Sequence, residues 1–112
     1  MAVVLQKEKT CLIARLSGEL DHHSVRSIRE EIDTAVTEQQ PSKLALDFSG
    51  VTFMDSSGIG LILGRCKVMC GIGGTTVVWS PPAHIKRVMR LSGIERLARI
   101  ETEPSAEEEE TE

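Results

Sequence analysis

The sequence predicts a single α/β domain with a mixed, mostly parallel β-sheet and packed α-helices. Short apolar runs typical of strands alternate with longer segments whose apolar residues recur at helical spacing, in the order ββαβαβαβ. The first two strands are close enough in sequence to form a hairpin, whereas a helix separates every later pair and favours parallel pairing. A chain of 112 residues is expected to form one domain and to bury a core without disulfides or a structural metal.

Two strands are predicted at the start of the chain. Val3–Leu5 is a short apolar run, and Gln6–Lys9 is polar and turn-like. The segment Thr10–Gly18 is rich in apolar residues that alternate only in part, which is typical of a strand covered on at least one face. The two strands are predicted to pair as a hairpin.

The first helix is predicted between residues 19 and 41. Asp21 or Ser24 can cap its start, because short oxygen side chains accept hydrogen bonds from the free N–H groups there. Pro41 cannot continue a helix and stops it. The apolar residues at helical spacing, which are expected to face the core, are Val25, Ile28, Ile32, Ala35 and Val36.

A third strand and a second helix follow. Lys43–Gly50 alternates in side-chain character and is predicted as a strand. The pattern becomes helical after Ser56, and Gly71 is the predicted C-terminal cap. The residues predicted to share one apolar face of this helix are Ile59, Ile62, Leu63, Cys66, Met69 and Cys70.

The last third of the domain is predicted to contain a strand, a helix and a final strand. Thr75–Trp79 is rich in β-branched residues and is predicted as a strand. The following helix has Ser80 as its predicted N-cap, Pro81 at its first position and Gly93 beyond its end. Leu97–Ile100 is predicted as a short final strand.

The last ten residues, 103–112, are predicted to be a disordered acidic tail after a folded domain of residues 1–102. They read "EPSAEEEETE", with strong like charge and no apolar periodicity. Such a segment buries too little apolar surface to offset the entropy lost on ordering. No function is predicted for it.

Composition argues against several classes of function. A net charge of −4 with one Trp, two Phe and no Tyr argues against a nucleic-acid partner. The chain has no apolar run that could cross a bilayer and no secretion signal, so a cytoplasmic protein without a membrane partner is expected. The three cysteines are expected to be free and buried. Cys66 and Cys70 share a helix face, but a metal site needs two more ligands, and neither metal nor cofactor is predicted.

The stretch "FMDSSGIG" places Asp55, Ser56 and Ser57 where a strand gives way to a helix. In parallel sheets, such junctions form the usual functional edge. The motif "GELD", which ends at Asp21, occupies another strand-to-helix junction. Asp21 and Ser56 therefore share one edge of the domain if their strands are neighbours.

Four interpretations of this junction are open. In the simplest, Asp55 or Ser56 is only a helix cap. A nucleophilic hydrolase is the second, but neither serine has the G-x-S-x-G pattern and no histidine is clearly placed as a base. The third is a receiver domain phosphorylated on Asp55, with Glu19 and Asp21 holding magnesium, although the late strand offers no lysine.

The fourth interpretation is a serine that a kinase phosphorylates. A phosphate at a helix N-terminus meets free N–H groups and the positive end of the helix dipole, so the fold tolerates it. Gly58 and Gly60 would leave the surface around the hydroxyl bare, so that a partner's active site can approach closely. For Gly60 and Gly64 a second explanation is tight packing of the helix on its neighbour.

Four stretches, "GELDHHS", "FMDSSGIGLILGR", "IGG" and "KRVMRLSG", together resemble the bacterial anti-sigma factor antagonists, most closely those that antagonise anti-sigma F factor in sporulation. These proteins belong to the sulfate transporter and anti-sigma antagonist (STAS) domain family. The likeness runs from the first strand to about Arg99 and leaves out only the acidic tail. It implies a single STAS domain that regulates transcription, and no catalytic motif accompanies it, so an enzyme is not expected.

The resemblance implies a partner-switching mechanism. The unphosphorylated antagonist binds an anti-sigma factor that is also a serine kinase, and so frees the sigma factor. The kinase phosphorylates the first serine of D-S-S-G, here Ser56, which ends binding, and a metal-dependent serine phosphatase restores the protein. Asp21 carries over as an interface residue, and Asp55, Ser57 and Gly58 as surroundings of the switch. A STAS scaffold that is never phosphorylated remains the main alternative.

Overall fold

The computed structural model describes residues 3–105. Its strands are β1 (Val3–Glu8), β2 (Cys11–Leu20), β3 (Lys43–Met54), β4 (Thr75–Trp79) and β5 (Arg99–Glu101). Its helices are α1 (Val25–Gln39), α2 (Ser56–Gly71) and α3 (Ala83–Leu91), and a 3₁₀ turn (Ile94–Arg96) precedes β5. The predicted fold class and the order ββαβαβαβ are confirmed.

The five strands form one sheet in which their spatial order, β1-β2-β3-β4-β5, is also their order in the chain. β1 and β2 are antiparallel, and the other three pairs are parallel. Right-handed crossovers that always step in the same direction put successive helices on one face of a sheet. Buried residues of all three helices accordingly join one core with this face, including Leu12, Ile32, Phe48, Ile62 and Ile85.

The helix-free face of the sheet carries a second, smaller cluster of buried residues. It consists of Ile13, Ala45, Val77 and Trp79. Lys43 extends over this face, with its Nζ 5.8 Å from the centroid of the Trp79 indole ring. An ammonium over an indole is favourable, so a charged side chain helps to cover this cluster.

Arg15 joins the helix-free face to the segment that follows β5. Its Nη1 lies 3.0 Å from Oδ2 of Asp47 and 2.8 Å from Oε1 of Glu103. The hydrogen bond to Glu103, and after it the one to Asp47, raises the pKa of the Arg15 guanidinium. The N–H of Glu103 also donates to Oγ of Ser80. Glu103 is thus held against the domain, which corrects its assignment to a disordered tail; the same prediction for residues 106–112 lies outside the described residues.

Three strands are longer than the sequence predicted. β1 runs to Glu8 rather than ending at Leu5, because its polar half pairs with β2 and leaves two residues for the turn. β2 and β3 run on to Leu20 and Met54, which pair with each other. Most residues in these extensions are exposed, so an alternating apolar pattern could not mark them.

α3 begins later than predicted. It starts at Ala83, and Ser80 is not its N-cap, because Ser80 has a φ of 51° and its hydroxyl accepts a backbone N–H from the C-terminal segment. The residue before a proline is disfavoured in helical conformation, so Pro82 prevents Pro81 from opening the helix. Gly93 lies beyond the helix end, as predicted, and its φ of 77° is in the left-handed region that favours glycine.

The end of α2 and the start of β5 also differ from the prediction. Gly73, rather than Gly71, takes the left-handed conformation after α2, and its N–H donates to the carbonyl of Cys70 over 3.1 Å. β5 begins at Arg99 and not at Leu97, because Leu97 closes the 3₁₀ turn. Both errors are shifts of two residues within elements that do exist.

α2 buries a different set of residues from the predicted one. Leu63 and Cys70 are exposed, which contradicts the prediction, whereas Leu61 is buried. Arg65 is buried as well, with 4% exposure, and its Nε lies 2.9 Å from Oδ1 of Asp33 on α1. Apolar residues occur on most sides of this helix, so their spacing did not identify its buried face.

The described residues contain neither a membrane-spanning helix nor a metal-binding cluster, and their cysteines are free. Within residues 3–105, no helix combines the length and the apolar character needed to cross a bilayer. No group of three or more His, Cys, Asp or Glu side chains in this part of the chain is arranged to hold a metal ion. The three cysteines are free thiols, and two of them are half-buried.

Candidate functional site

The two junctions singled out in the sequence lie side by side at the carboxyl ends of β2 and β3. Leu20 pairs with Met54, and the N–H of Asp55 donates to the carbonyl of Leu20 over 3.3 Å. Asp21 follows Leu20 directly, and Ser56 follows Asp55. The predicted shared edge is confirmed, and these two neighbouring segments, residues 20–24 and 54–57, are called the junction edge below.

Asp55 is the N-cap of α2. Its backbone is extended, its Oδ1 accepts the N–H of Ser57 over 2.8 Å, and its carbonyl accepts that of Gly58 over 3.0 Å. An N-cap of this kind contributes roughly 1 kcal/mol to stability. The cap interpretation is confirmed for Asp55, and it leaves Ser56 without a capping role.

Ser56 is the first residue of α2, and it is exposed. Its hydroxyl has no hydrogen bond to any residue of the described range. Ser56 lies in the first turn of this 16-residue helix, at the positive end of the helix dipole, although Asp55 already accepts the N–H groups of Ser57 and Gly58. A phosphate on Ser56 would therefore meet the favourable field of the dipole and would break no side-chain hydrogen bond of the serine.

The geometry does not favour a hydrolase or a receiver domain. In the described part of the chain, no histidine is hydrogen-bonded to Ser56 or Ser57, and Nε2 of His84 instead lies 3.0 Å from the carbonyl oxygen of Thr52. The carboxylate of Asp55 is occupied by the helix cap. Side chains that would hold magnesium beside it do not converge among residues 3–105.

Asp21 is held in a tight turn that precedes α1. Its Oδ1 accepts the N–H groups of His23 and Ser24, each over 3.0 Å, and its own N–H donates to Oγ of Ser24 over 3.1 Å. The N–H of Ser24, and after it that of His23, holds the pKa of the Asp21 carboxyl below its ordinary value. Ser24 occupies the N-cap position of α1 without a side-chain cap bond. Asp21 therefore presents a fixed negative charge at the junction edge.

The glycines of α2 differ in their surroundings. Gly58 is buried, and a Cβ there would lie 2.1 Å from Cγ of Met54. A Cβ at Gly60 or Gly64 would meet nothing within 4 Å. Tight helix packing therefore does not explain Gly60 and Gly64. The expectation of bare surface beside the serine holds for the exposed Gly60 and is wrong for Gly58, which packs inward.

Two further exposed side chains lie beside the junction edge. Glu19 of β2 pairs with Phe53 of β3, immediately before the pair Leu20 and Met54. Phe53 is 48% exposed. Sequence reasoning missed it, because a phenylalanine within an apolar strand resembles a core residue. The scarcity of aromatic residues in the chain was the one available signal.

The chain matches the STAS domain family over residues 2–108. It is 37% identical over 102 residues to the anti-sigma F factor antagonist of Paenibacillus polymyxa, a match that covers 89% of this chain and 86% of that protein. The solved structure of the anti-sigma factor antagonist SpoIIAA in its unphosphorylated form is 33% identical, with a TM-score of 0.80, and the match covers 96% of this chain and 92% of SpoIIAA. The solved structure of the Bacillus cell fate determinant SpoIIAA in the phosphorylated form is 32% identical, with a TM-score of 0.73, and the match covers 98% of this chain and 97% of that one.

The family match and the fold agree with the motifs of the junction edge. The match extends beyond residue 102, as does the folded structure, in which Glu103 contacts Arg15. The resemblance first indicated by "GELD" and "DSSG" is thus confirmed over nearly the whole chain. The chain belongs to the STAS domain family.

Proposed function

We propose that the protein is an anti-sigma factor antagonist and that Ser56 is the phosphoacceptor of its partner switch. The unphosphorylated protein binds an anti-sigma factor that is also a serine kinase, and this binding releases the sigma factor. The observation that carries the proposal is the exposed Ser56 hydroxyl, which makes no hydrogen bond to the described residues, while Asp55 supplies the helix cap. The relatives support it, since one is named an anti-sigma F factor antagonist and SpoIIAA has been solved with and without phosphorylation.

An open surface beside Ser56 supports recognition by a kinase. Gly60 lies one helical turn beyond Ser56 and is exposed, and Gly64 lies a further turn along with free space at its Cβ position. A glycine inside a helix costs about 1 kcal/mol relative to alanine. At neither position does close packing within the domain offset this cost. Contacts with a partner that approaches the helix backbone closely would offset it.

The switch itself is electrostatic. A phosphate adds about −1.5 to −2 charges to Ser56. Asp21 is fixed and ionised on the neighbouring segment, and Asp55 directly precedes the serine. In a desolvated interface, juxtaposed like charges cost several kcal/mol, and each 1.4 kcal/mol weakens binding about tenfold. Phosphorylation is therefore expected to end binding.

The fold is expected to survive the same modification. The phosphate lies at the N-terminus of α2, where a negative charge is stabilising by a few tenths of a kcal/mol to about 1 kcal/mol. A metal-dependent serine phosphatase then restores the unphosphorylated form. In this cycle the chain is substrate and ligand rather than catalyst. It acts in the cytoplasm, without a nucleic-acid or membrane partner.

The test is to incubate the protein with its cognate kinase and ATP and to map the phosphate by mass spectrometry. We expect one phosphate on Ser56 in the wild-type protein, none in Ser56→Ala, and a phosphate that still maps to Ser56 in Ser57→Ala. Stoichiometric label on Ser57 would overturn the assignment. No incorporation into folded protein would favour a STAS scaffold, and a base-labile phosphate would indicate an acyl phosphate on an aspartate.

A further inference from the structure

We propose that Phe53 is an apolar anchor through which the protein binds its anti-sigma factor kinase. The inference rests on the proposed function and extends the interface beyond the D-S-S-G motif. The phenylalanine belongs to a two-stranded arm, defined here as Gly18–Leu20 of β2 paired with Val51–Met54 of β3. This β2–β3 arm leads directly into both segments of the junction edge.

The β2–β3 arm extends past the last residue of β3 that pairs with β4. β4 ends at Trp79, which pairs with Asp47, so the last seven residues of β3 have no β4 partner. The pairing of β2 with β3 is irregular at two places in this region, between Arg15 and Ser17 and between Gly18 and Glu19. Such irregularities bend a strand and re-aim its side chains. The arm is thus shaped differently from the regular sheet below it.

Phe53 is exposed on this arm, although the other apolar residues of β3 are buried. The second phenylalanine, Phe48, lies in the same strand and is completely buried, whereas Phe53 is 48% exposed. Phe53 is therefore one of only three aromatic residues (Phe, Trp or Tyr) in the chain, and it is exposed on the β2–β3 arm. Aromatic residues, phenylalanine included, are enriched at the cores of protein–protein interfaces.

The charges around Phe53 indicate the chemistry of its partner. Glu19 pairs with Phe53 across the arm, and Asp21 and Asp55 each lie two residues further along the same two segments. In the described part of the chain, no cation forms an ion pair with any of these three carboxylates. An apolar pocket with lysine or arginine at its rim is the complementary surface, because it would cover the ring and pair the acids.

Three other exposed apolar residues lack this setting. Val4 lies on β1, Leu91 ends α3 and Leu97 precedes β5, so none of these three belongs to the arm or to the junction edge, whereas the exposed Leu63 lies on α2 two turns beyond Ser56. Isolated apolar side chains on a surface are common and need no partner. Leu91 is 84% exposed, which makes Leu91→Ala a matched control for the loss of exposed apolar surface.

The test is calorimetric titration of the unphosphorylated variants with the kinase. We expect Phe53→Ala to bind roughly ten- to a hundredfold more weakly than wild type, Phe53→Leu to lose less, and Leu91→Ala to stay within about twofold. Glu19→Gln is expected to reduce the association rate and its dependence on salt. Thermal unfolding of each variant confirms that it is folded.

Hydrogen exchange on the wild-type complex provides a second measurement that needs no variant. Amides of residues 51–54 are expected to be protected when the kinase binds. Wild-type affinity of folded Phe53→Ala, or unchanged exchange at residues 51–54, would overturn this inference while leaving the proposed function intact. Absence of any binding by wild-type protein would overturn both.

Discussion

Alanine substitutions at Gly58 and Gly60 are expected to change stability in opposite directions. Both positions lie within α2, and alanine is favoured over glycine in a helix by about 1 kcal/mol. At Gly60 a Cβ meets nothing within 4 Å, so Gly60→Ala is expected to gain about 0.5–1 kcal/mol in free energy of unfolding.

At Gly58 the same methyl group would collide with a core side chain. Its Cβ would lie 2.1 Å from Cγ and 2.5 Å from Sδ of Met54, whose exposure is only 6%. Both atoms must move by more than an ångström, and overpacking of this kind costs about 1–3 kcal/mol. Because the helix-propensity gain applies to both variants, the difference between them isolates the clash. Gly58→Ala is expected to be about 1–3 kcal/mol less stable than Gly60→Ala.

Urea unfolding followed by the fluorescence of Trp79, the sole tryptophan of the chain, measures this difference. In thermal unfolding it corresponds to about 4 °C for each kcal/mol. Equal stability of the two variants, or greater stability of Gly58→Ala, would refute the close packing of Gly58 on Met54 and with it the inward orientation of this side of α2.

Two other predictions concern the interior of the helical layer. Asp33→Ala leaves the buried Arg65 unpaired and should lower the free energy of unfolding by about 1–3 kcal/mol, which is less than for a fully buried pair because the Asp33 side chain is 36% exposed. Glu30→Ala removes an exposed ion pair and should lower the free energy of unfolding by less than about 0.5 kcal/mol. Equal losses for the two variants in urea unfolding would contradict the burial of the Arg65–Asp33 pair. With Ellman's reagent, the exposed Cys70 should react first. Cys66 should react after Cys70, and its reaction rate should increase as the pH rises, because burial raises the pKa of its thiol. Simultaneous reaction of the two cysteines would show that Cys66 is not shielded.

The order of elements and the junction edge were predictable because local signals determine them. Strand Thr75–Trp79 was predicted with its observed bounds, since β-branched residues and flanking turn residues mark both ends. Parallel pairing follows from helical crossovers, and it brings Asp21 and Ser56 to the same edge because β2 and β3 are neighbours, the one condition that the sequence left open. A cap at this junction was predicted with Asp55 and Ser56 as candidates, and the structure shows that Asp55 is the cap.

The errors occurred where a contact between distant residues decides the outcome. Glu103 is ordered by Arg15, which lies 88 residues earlier in the chain, and no local pattern indicates that pairing. The burial of Arg65 requires Asp33 on another helix, so a charged residue occupies a position that apolar spacing would assign to solvent. Phe53 is exposed whereas Phe48, which also lies beyond the last β3 residue paired with β4, is completely buried, and no local pattern distinguishes the two.

The proposed partner switch requires that charge at Ser56 control binding while the fold stays intact. The most direct measurement is calorimetric titration of the kinase, with nucleotide present, against unphosphorylated protein and against protein phosphorylated on Ser56. We expect the unphosphorylated form to bind and the phosphorylated form to bind at least about a hundredfold more weakly, with unchanged circular dichroism. Equal affinities for two folded forms would contradict it, because the switch would then not depend on charge at this serine.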